Sequence, residues 1–441
     1  MLLDSGSMSG TFVDEFDEGV VTKHGQSSIY RFGRPLYKGT PTACFDGGLL
    51  FRIVEENNKN RWSFYNDVPN SEMNVEVIFG PNSDIKALGN TDMTKLSDGS
   101  IKCTVVVYPL ETELFIEGVC NGYKSNIVAK ELTNEYLEDV AVQNTSVIKG
   151  EISVMEKLAA RDASPDDALA ACIAKKTKFL DLTFPPTQES LQTGTVTRMK
   201  VIPWERPSMF LSDENALQAR LFRNDINPNN IDEGELGDSW FTGALACVAE
   251  FPNRIRDMFR HPRSLDEGKN ERAIGAYRVT FNKGGWWVNV VVDDYLPCSG
   301  GQPIFARSYG DPLELWVSLA QKAYAKLYGG YGFLVVGDPL HALQDITGYP
   351  CSSFNTAFET AKLNGGEELF GHLLHYSQAH HHTILVTPTR NALQLQGSTG
   401  EAYERLGLLP GHVYKVLKVL SFAESGVFLL LLRNPWSAVA I

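Results

Sequence analysis

Apolar and polar residues alternate along much of the first third of the chain, which predicts β-strands. In the segment NVEVIF (74–79), Val75, Val77 and Phe79 occupy every second position. Turn-forming runs such as GPNSD and LSDGS separate this segment from its neighbours. The other strand-like segments are LLFRIV (49–54), CTVVVY (103–108) and ELFIEGV (113–119). Strands of this length with turns between them predict an all-β, sandwich-like domain.

The pattern changes to a helical one after about residue 150. The alanine-rich segment VMEKLAARDASPDDALAACIAKK is interrupted once at Ser164-Pro165 and predicts two short helices. The paired prolines of FLDLTFPPTQESL (179–191) then break regular structure. We interpret this stretch as a linker between domains.

After about residue 195 helical and strand patterns are mixed. Three segments predict helices, and the glycines of PLELWVSLAQKAYAKLYGG predict where the last of them ends. Gly284-Gly285 predicts the turn of a β-hairpin, and GHVYKVLKVLSFAESGVFLLLLRNPW predicts two long strands. The other two helical segments are NALQARLF and WFTGALACVAEF. The predicted units are a β domain (1–150), a helical linker (151–185), a helical subdomain (186–347) and a β-rich, incomplete subdomain (348–441).

Composition and charge narrow the function classes. The 441 residues carry a formal net charge of -13 and contain no basic stripe, which excludes an electrostatic nucleic-acid binder. The longest strongly apolar run, VFLLLL (427–432), is far shorter than the ~18 residues of a transmembrane helix. Seven cysteines without CxxC spacing are typical of reduced thiols, so we expect a cytoplasmic protein without a transmembrane segment.

Three residues supply the groups of a nucleophilic site. Ser239 lies where a helix is predicted to begin, and His412 and Asn434 provide a base and a residue that orients it. Their spacing in the sequence does not show that they meet in space. Gly237-Asp238-Ser239 alone also leaves open an unrelated serine hydrolase.

The surrounding motifs resemble the calpain protease core. They occur in the order and at roughly the spacing of that family, from about residue 180 to 441. The resemblance implies a papain-like α+β fold in which two subdomains close around a Cys-His-Asn triad, and activation by calcium. The motifs are FLDLTFPPTQESL, WERP (204–207), GELGDSWF, VVVDDYLP, LELWVSLAQKAYAKLYGGY, PGHVYKV and LLRNPW.

The N-terminal part resembles another unit, the β domain of kinetoplastid calpain-related proteins. The segments that carry this resemblance are RWSFYNDVPNSEMNVEVIFGPNSDIKALGNTDM and VVYPLETELFIEGVCNGYKS. In that group many members have lost catalytic residues, and several associate with the membrane cytoskeleton. The resemblance therefore implies protein partners, membrane-cytoskeleton proteins among them.

The resemblance places His412 and Asn434 on the family's histidine and asparagine, and Ser239 on its cysteine. A thiol at a helix N-terminus beside an imidazolium has a depressed pKa, whereas a hydroxyl stays protonated there. Serine proteases use a carboxylate behind the histidine, which Asn434 cannot replace.

The resemblance also places Glu233 where the family has the glutamine that donates to the oxyanion. An ionised carboxylate donates no hydrogen bond, and loss of one such donor costs ~10²–10³ in rate. Trp240 and Trp436 are expected, by resemblance, to line the cleft.

Calcium is the cofactor that the resemblance implies. Its first site in the family uses an aspartate before the nucleophile and a glutamate near the start of the LELWVSLAQKAYAK helix. Glu314 matches the glutamate, Asn230 stands at the aspartate position, and Asp232 is a nearby substitute. The alternative is that Glu314 is a surface residue of the helix.

The leading hypothesis is a calpain-like pseudoprotease that holds protein partners or peptide segments in its cleft, in the cytoplasm or on the cytoskeleton. The alternative is a calcium-dependent cysteine-type endopeptidase whose activity is weak, through Ser239 and His412, or was removed by replacing a natural cysteine. Glu233 counts against this alternative.

Overall fold

The computed structural model describes most of the chain between Ile29 and Arg433. The described residues are 29–30, 35–45, 48–56, 59–68, 71–160, 163–191, 201–211, 213–223, 225–364, 366–378, 383–387, 408, 412–422 and 426–433. Two of the predicted site residues, Asn434 and Trp436, lie outside them.

The N-terminal region is built from nine strands within the described residues. They are β1 (Thr40–Ala43), β2 (Leu50–Glu55), β3 (Asn60–Asn66), β4 (Ser71–Phe79), β5 (Asp84–Ala87), β6 (Asp92–Lys95), β7 (Ile101–Val107), β8 (Thr112–Val119) and β9 (Tyr123–Glu131). They form two antiparallel sheets with the strand orders β1-β2-β3-β8-β5 and β6-β7-β4-β9. Each of the four segments predicted as strands overlaps one of them, and only Leu49 and Tyr108 fall just outside.

The two sheets share one apolar core. Trp62, Phe64 and Phe115 of the first sheet pack with Val75 and Val77 of the second. The alternation along β4 buries its core-facing residues and leaves Asn74, Glu76 and Ile78 partly exposed. The predicted β-sheet domain is therefore confirmed.

Helices α1 (Asn134–Leu158) and α2 (Pro165–Lys175) follow β9. Thr133 and Ser164 cap them, each accepting a hydrogen bond from the backbone N–H three residues on. The predicted break at Ser164-Pro165 is correct, but α1 is one helix of 25 residues, so the boundary predicted at 150 falls inside it. Ile148 and Met155 of α1 and Leu169 of α2 pack into the core of the region that follows.

That region mixes helices with short strands, as predicted. Its helices are α3 (Gln188–Leu191), α4 (Pro207–Phe210), α5 (Asp213–Gln218), α6 (Ser239–Ala249), α7 (Pro252–Met258), α8 (Leu265–Ala273), α9 (Trp316–Tyr328), α10 (Pro339–Thr347), α11 (Asn355–Asn364) and α12 (Glu367–Gln378), with 3-10 turns at Pro228–Asn230 and Tyr331–Leu334. Its strands are β10 (Trp204–Glu205), β11 (Ile231–Asp232), β12 (Ala276–Lys283), β13 (Trp286–Asp293), β14 (Leu296–Ser299), β15 (Gln302–Pro303), β16 (Arg307–Ser308), β17 (Ile384–Val386), β18 (Tyr414–Phe422) and β19 (Val427–Arg433).

Two of these elements follow directly from glycine positions. Strands β12 and β13 form the predicted hairpin, and its turn residues Gly284 and Gly285 both have positive φ. Helix α9 ends at Gly329, also with positive φ. Strands β17, β18 and β19 form an antiparallel sheet, which contains the predicted pair of long strands.

Candidate active site

A buried network of charges holds the core of the protease-like region together. Lys322 of α9 is fully buried, and its ammonium donates to Asp293 Oδ1 at 2.5 Å and to the carbonyl oxygen of Tyr295 at 2.6 Å. Asp293 Oδ2 accepts from the backbone N–H of Asp181, whose own carboxylate binds Lys326 at 2.6 Å. Each of these buried carboxylates faces a cation, as burial requires.

A second part of the network ties α1 to the same core. The buried guanidinium of Arg206 binds the carboxylates of Asp294 and of Glu151, which lies on α1. It also stacks on the ring of Tyr295, 4.1 Å from its centroid. Four of the motifs quoted above, FLDLTFPP, WERP, VVVDDYLP and LAQKAYAK, therefore meet through their charged residues.

Ser239 is the first residue of α6, as predicted from the sequence. Gly234 and Gly237, both with positive φ, lead into the helix, and a Cβ at Gly234 would overlap the carbonyl oxygens of Ile304 and Phe305. Every residue of α6 after Ser239 is buried, so the helix runs into the core and only its N-terminus is partly exposed. The positive end of the helix dipole thus lies at Ser239.

Two buried acids flank this helix start. Glu233 is 2% exposed and Asp238, the residue before Ser239, is 0% exposed. Asp238 Oδ2 accepts from Gln321 Nε2 at 2.9 Å, while its buried Oδ1 has no hydrogen-bond partner. Burial, with a smaller contribution from the charge of Glu233, raises the pKa of Asp238 to about 8, although the hydrogen bond from Gln321 opposes this shift. Asp238 and Gln321 were not predicted as site residues from the sequence, although an acid directly before an apolar helix indicated that Asp238 lies at the site.

His412 is brought to the Ser239 helix through its neighbour. A Cβ at Gly243 would lie 3.4 Å from Val413 Cγ1, and Gly243 is one turn after Ser239 on the same face of α6. His412 itself is buried and packs edge-on against the ring of Tyr414, 4.9 Å away. The end of α6 is held by Lys415, whose ammonium lies 3.7 Å from Glu250.

Cys247 lies on α6 as well, two turns beyond Ser239. It is fully buried, and desolvation raises the pKa of its thiol to about 12. The pKa is also raised by burial for the thiols of Cys44, Cys103, Cys172, Cys298 and Cys351. A nucleophilic thiolate needs the opposite shift.

Trp240 packs in the interior of the helical region. Its indole N–H donates to the carbonyl oxygen of Leu334 at 2.5 Å, and a Cβ at Gly337 would overlap its ring. It also contacts the rings of Tyr324 and Tyr328. Its predicted role in lining a cleft stays a prediction.

The residues predicted for calcium lie near one another but are engaged by the protein. The ladder between β11 and β16 pairs Asp232 with Arg307, whose guanidinium binds the Asp232 carboxylate at 2.8 Å. The backbone carbonyl oxygen of Asn230 accepts from the backbone N–H of Tyr309.

Glu314 is not a surface helix residue: it is buried and precedes α9. Its carboxylate accepts from the Arg223 backbone N–H at 3.0 Å, from Ser308 Oγ at 3.0 Å and from Trp316 Nε1 at 3.2 Å. The described residues contain no group of three His, Cys, Asp or Glu that could hold a metal. This arrangement does not fit a calcium ion, which takes 6–8 oxygen ligands.

The sequence profile of the calpain family cysteine proteases matches residues 179–440, more than half of the chain. The chain belongs to the calpain family. A second profile, a domain of unknown function (DUF1935), matches residues 30–132, which contain the two β-sheets. These matches confirm the predicted order of an N-terminal β domain and a calpain region.

Curated relatives match the calpain region. The calpain-type cysteine protease DEK1 of Zea mays is 35% identical over 275 residues, which is 60% of this chain and 12% of that protein. Calpain clp-4 of Caenorhabditis elegans is 33% identical over 60% of this chain and 34% of that protein. The chain thus spans well under half the length of these calpains.

Two solved structures from Leishmania major are similar to part of this chain. The Small Myristoylated Protein SMP-1 is 46% identical, covers 27% of this chain and 92% of its own, and has a TM-score of 0.25. A hypothetical protein is 34% identical over 23% of this chain and 91% of its own, with a TM-score of 0.22. Among the described residues, no helix is both long and apolar enough to span a membrane.

Proposed function

We propose that this calpain-family chain is a pseudoprotease whose protease-like region binds protein segments without cleaving them. The observation that carries the proposal is the residue at the start of α6, a serine where the family resemblance expects a cysteine. The N-terminus of α6 would depress the pKa of a thiol, but a hydroxyl at this position stays protonated.

The surroundings of Ser239 support the same proposal. Glu233 is buried at the position where the resemblance expects a glutamine, so an acid stands where an amide donor is expected. Negative charge here opposes a developing oxyanion. Cys247 cannot replace the missing thiol, because it is buried two turns away and its pKa is raised.

The scaffold around the site favours a binding role over loss of the fold. The charges of Lys322, Lys326 and Arg206 are each matched by carboxylates. Val413, the residue before strand β18, packs on the helix face that carries Ser239. A protein that keeps these ion pairs and this packing while changing its nucleophile retains a surface that can bind peptide segments. We propose that its partners lie in the cytoplasm or on the cytoskeleton.

The test is cleavage of an unfolded protein substrate, with and without calcium, by the purified chain and by Ser239→Cys/Glu233→Gln. We expect no cleavage by the native chain and measurable cleavage by the double variant. Ser239→Ala is the matched control. Cleavage by the native chain that disappears in Ser239→Ala would overturn the proposal and make Ser239 a nucleophile.

Binding is tested separately from cleavage. A fluorescent unfolded substrate should bind the native chain and Ser239→Ala with equal affinity, since neither cleaves it. Absence of binding by the native chain would contradict the scaffolding part of the proposal even if cleavage is absent.

A further inference from the structure

The tip of the β12–β13 hairpin exposes large aromatic side chains. Trp286 is 80% exposed and Trp287 is 50% exposed, and the next two residues of β13, Val288 and Asn289, are exposed as well. Two adjacent tryptophans after a glycine turn do not reveal this exposure in the sequence. The turn residues Gly284 and Gly285 have no side chains, so the indole of Trp286 extends from the end of the hairpin.

Arginines lie at the base of the same tip. The guanidinium of Arg260 lies 4.8 Å from the ring centroid of Trp287, and Arg254 lies 5.4 Å from that of Tyr349, which is half exposed. Arg263 is exposed. The pKa of His261 is lowered mainly by burial, and the nearby charges of Arg260 and Arg263 act in the same direction. We call Arg254, Arg260, Arg263, Trp286, Trp287 and Tyr349 the arginine–aromatic patch.

The charge of this patch is opposite to that of the whole chain. The segment 254–263 has four arginines and one acid, Asp257, while acidic residues outnumber basic ones by 13 in the whole chain. Asp257 lies 3.7 Å from Arg254 and partly neutralises it, which leaves Arg260 and Arg263 as the main cations. The positive charge of Arg260 and Arg263 would therefore favour an anionic surface at this face.

Part of the patch is already held in place. The ring of Trp287 lies between Arg260 and Gly348, where a Cβ would come within 2.9 Å of Trp287 Cζ2. Little side-chain freedom is left for Trp287 to lose on binding, whereas Trp286 extends past it into solvent. The patch thus combines a side chain that is already held in place, Trp287, with one indole that projects into solvent, Trp286.

We propose that the arginine–aromatic patch is a peripheral binding site for anionic lipid membranes, with Trp286 entering the interface and the arginines binding lipid phosphates. Indole rings favour the membrane–water interface, and arginines near it gain from anionic headgroups. Trp286 on one face of the hairpin tip is 80% exposed and Trp287 on the other is 50% exposed, so a fluid interface can contact both, whereas a flat protein surface would cover one. This choice of occupant does not depend on whether Ser239 is catalytic.

The experiment is sedimentation of the purified chain with vesicles of phosphatidylcholine containing about a third phosphatidylserine, against phosphatidylcholine alone. We expect binding to the anionic vesicles that weakens as salt rises from roughly 0.1 M to 0.5 M. Trp286→Ala should weaken it about tenfold, since it removes the inserted apolar area. Arg260→Gln/Arg263→Gln should weaken it about fivefold per arginine.

Tyr309→Ala is the matched control, because Tyr309 is also exposed but lies beside Asn230, outside the patch. It should bind like the native chain. Failure of the native chain to sediment with anionic vesicles would overturn the proposal, as would equal binding by Trp286→Ala. If Trp286→Ala leaves vesicle binding unchanged but abolishes binding to a soluble protein, the patch is a protein-docking surface and the lipid assignment is wrong.

Discussion

Asp293 and Asp238 are both fully buried in the calpain region, but their surroundings differ. Asp293 meets the ammonium of Lys322 and two backbone N–H donors. Asp238 accepts from the amide of Gln321, and its other carboxylate oxygen has no hydrogen-bond partner. The first arrangement supports the fold, whereas the second, at the start of the Ser239 helix, costs stability when the acid ionises. The comparison separates residues that hold the region together from residues that shape its candidate site.

The largest expected effect on stability comes from removing the ammonium of Lys322, which pairs with Asp293. Lys322→Met should lower the free energy of unfolding by about 3–5 kcal/mol, because it leaves Asp293 buried and unpaired. Urea unfolding of the native and variant chains measures the loss. Adding Asp293→Asn should recover part of it, since the orphan charge disappears. A loss below about 1 kcal/mol would show that the pair is not a main support.

Removing the buried charge of Asp238 should have the opposite effect and stabilise the chain. Because its folded-state pKa is about 8 and lies above the unfolded value, its penalty is absent at low pH and grows as pH rises towards 8. Asp238→Asn should therefore stabilise the chain by about 1–3 kcal/mol at pH 8 and by little at pH 4.

Thermal unfolding from pH 4 to 8 measures this difference. Glu235→Gln is the control, because Glu235 is exposed and lies in the same turn. Parallel pH profiles for the native chain and Asp238→Asn would contradict the assignment of an uncompensated buried acid.

Glu205 is expected to show a smaller effect of the same sign. It accepts a long hydrogen bond from Asn144 of α1 at 3.4 Å, and burial raises its pKa to about 7. Glu205→Gln should stabilise the chain by about 1 kcal/mol above pH 7 and not below pH 4. Urea unfolding at the two pH values checks this, and a variant less stable at both would reveal a lost hydrogen bond instead.

The smallest expected effect is that of calcium. A site with a dissociation constant of about 10 μM would stabilise the chain by about 2.7 kcal/mol at about 1 mM calcium. The Asp232 carboxylate already binds Arg307, and the Glu314 carboxylate already accepts three hydrogen bonds. We therefore expect calcium to cause no shift in Tm. A calcium-dependent rise in Tm that Glu314→Gln removes would show that these side chains rearrange to bind the ion.

Local patterns in the sequence predicted the elements well. Alternation predicted β4, the two glycines predicted the β12–β13 turn, and the Gly-Asp-Ser step predicted the start of α6. Each of these features depends on neighbouring residues alone. The fold and the family followed from such segments together with the resemblance of the longer motifs.

Features that depend on distant contacts were harder to predict. Glu314 is buried and accepts hydrogen bonds from Ser308 and from the backbone N–H of Arg223. The helical pattern around Glu314 does not indicate either partner. Trp286 is exposed while Trp287 is held by Arg260, a difference that two adjacent tryptophans do not reveal. The start of helix α1 was placed too late because the predicted helical segment begins at Val154, where the alanine-rich stretch starts, twenty residues after Asn134.

Helix α1 also bears on how far the protein can be shortened. The calpain match begins at residue 179, but Glu151, Ile148 and Met155 of α1 contribute to the same packed unit. A fragment that starts at 179 would leave the Arg206 guanidinium without one of its two carboxylates and expose an apolar seam to water. The smallest fragment expected to fold well therefore starts at the Thr133 cap, well before residue 179, where the calpain profile begins to match.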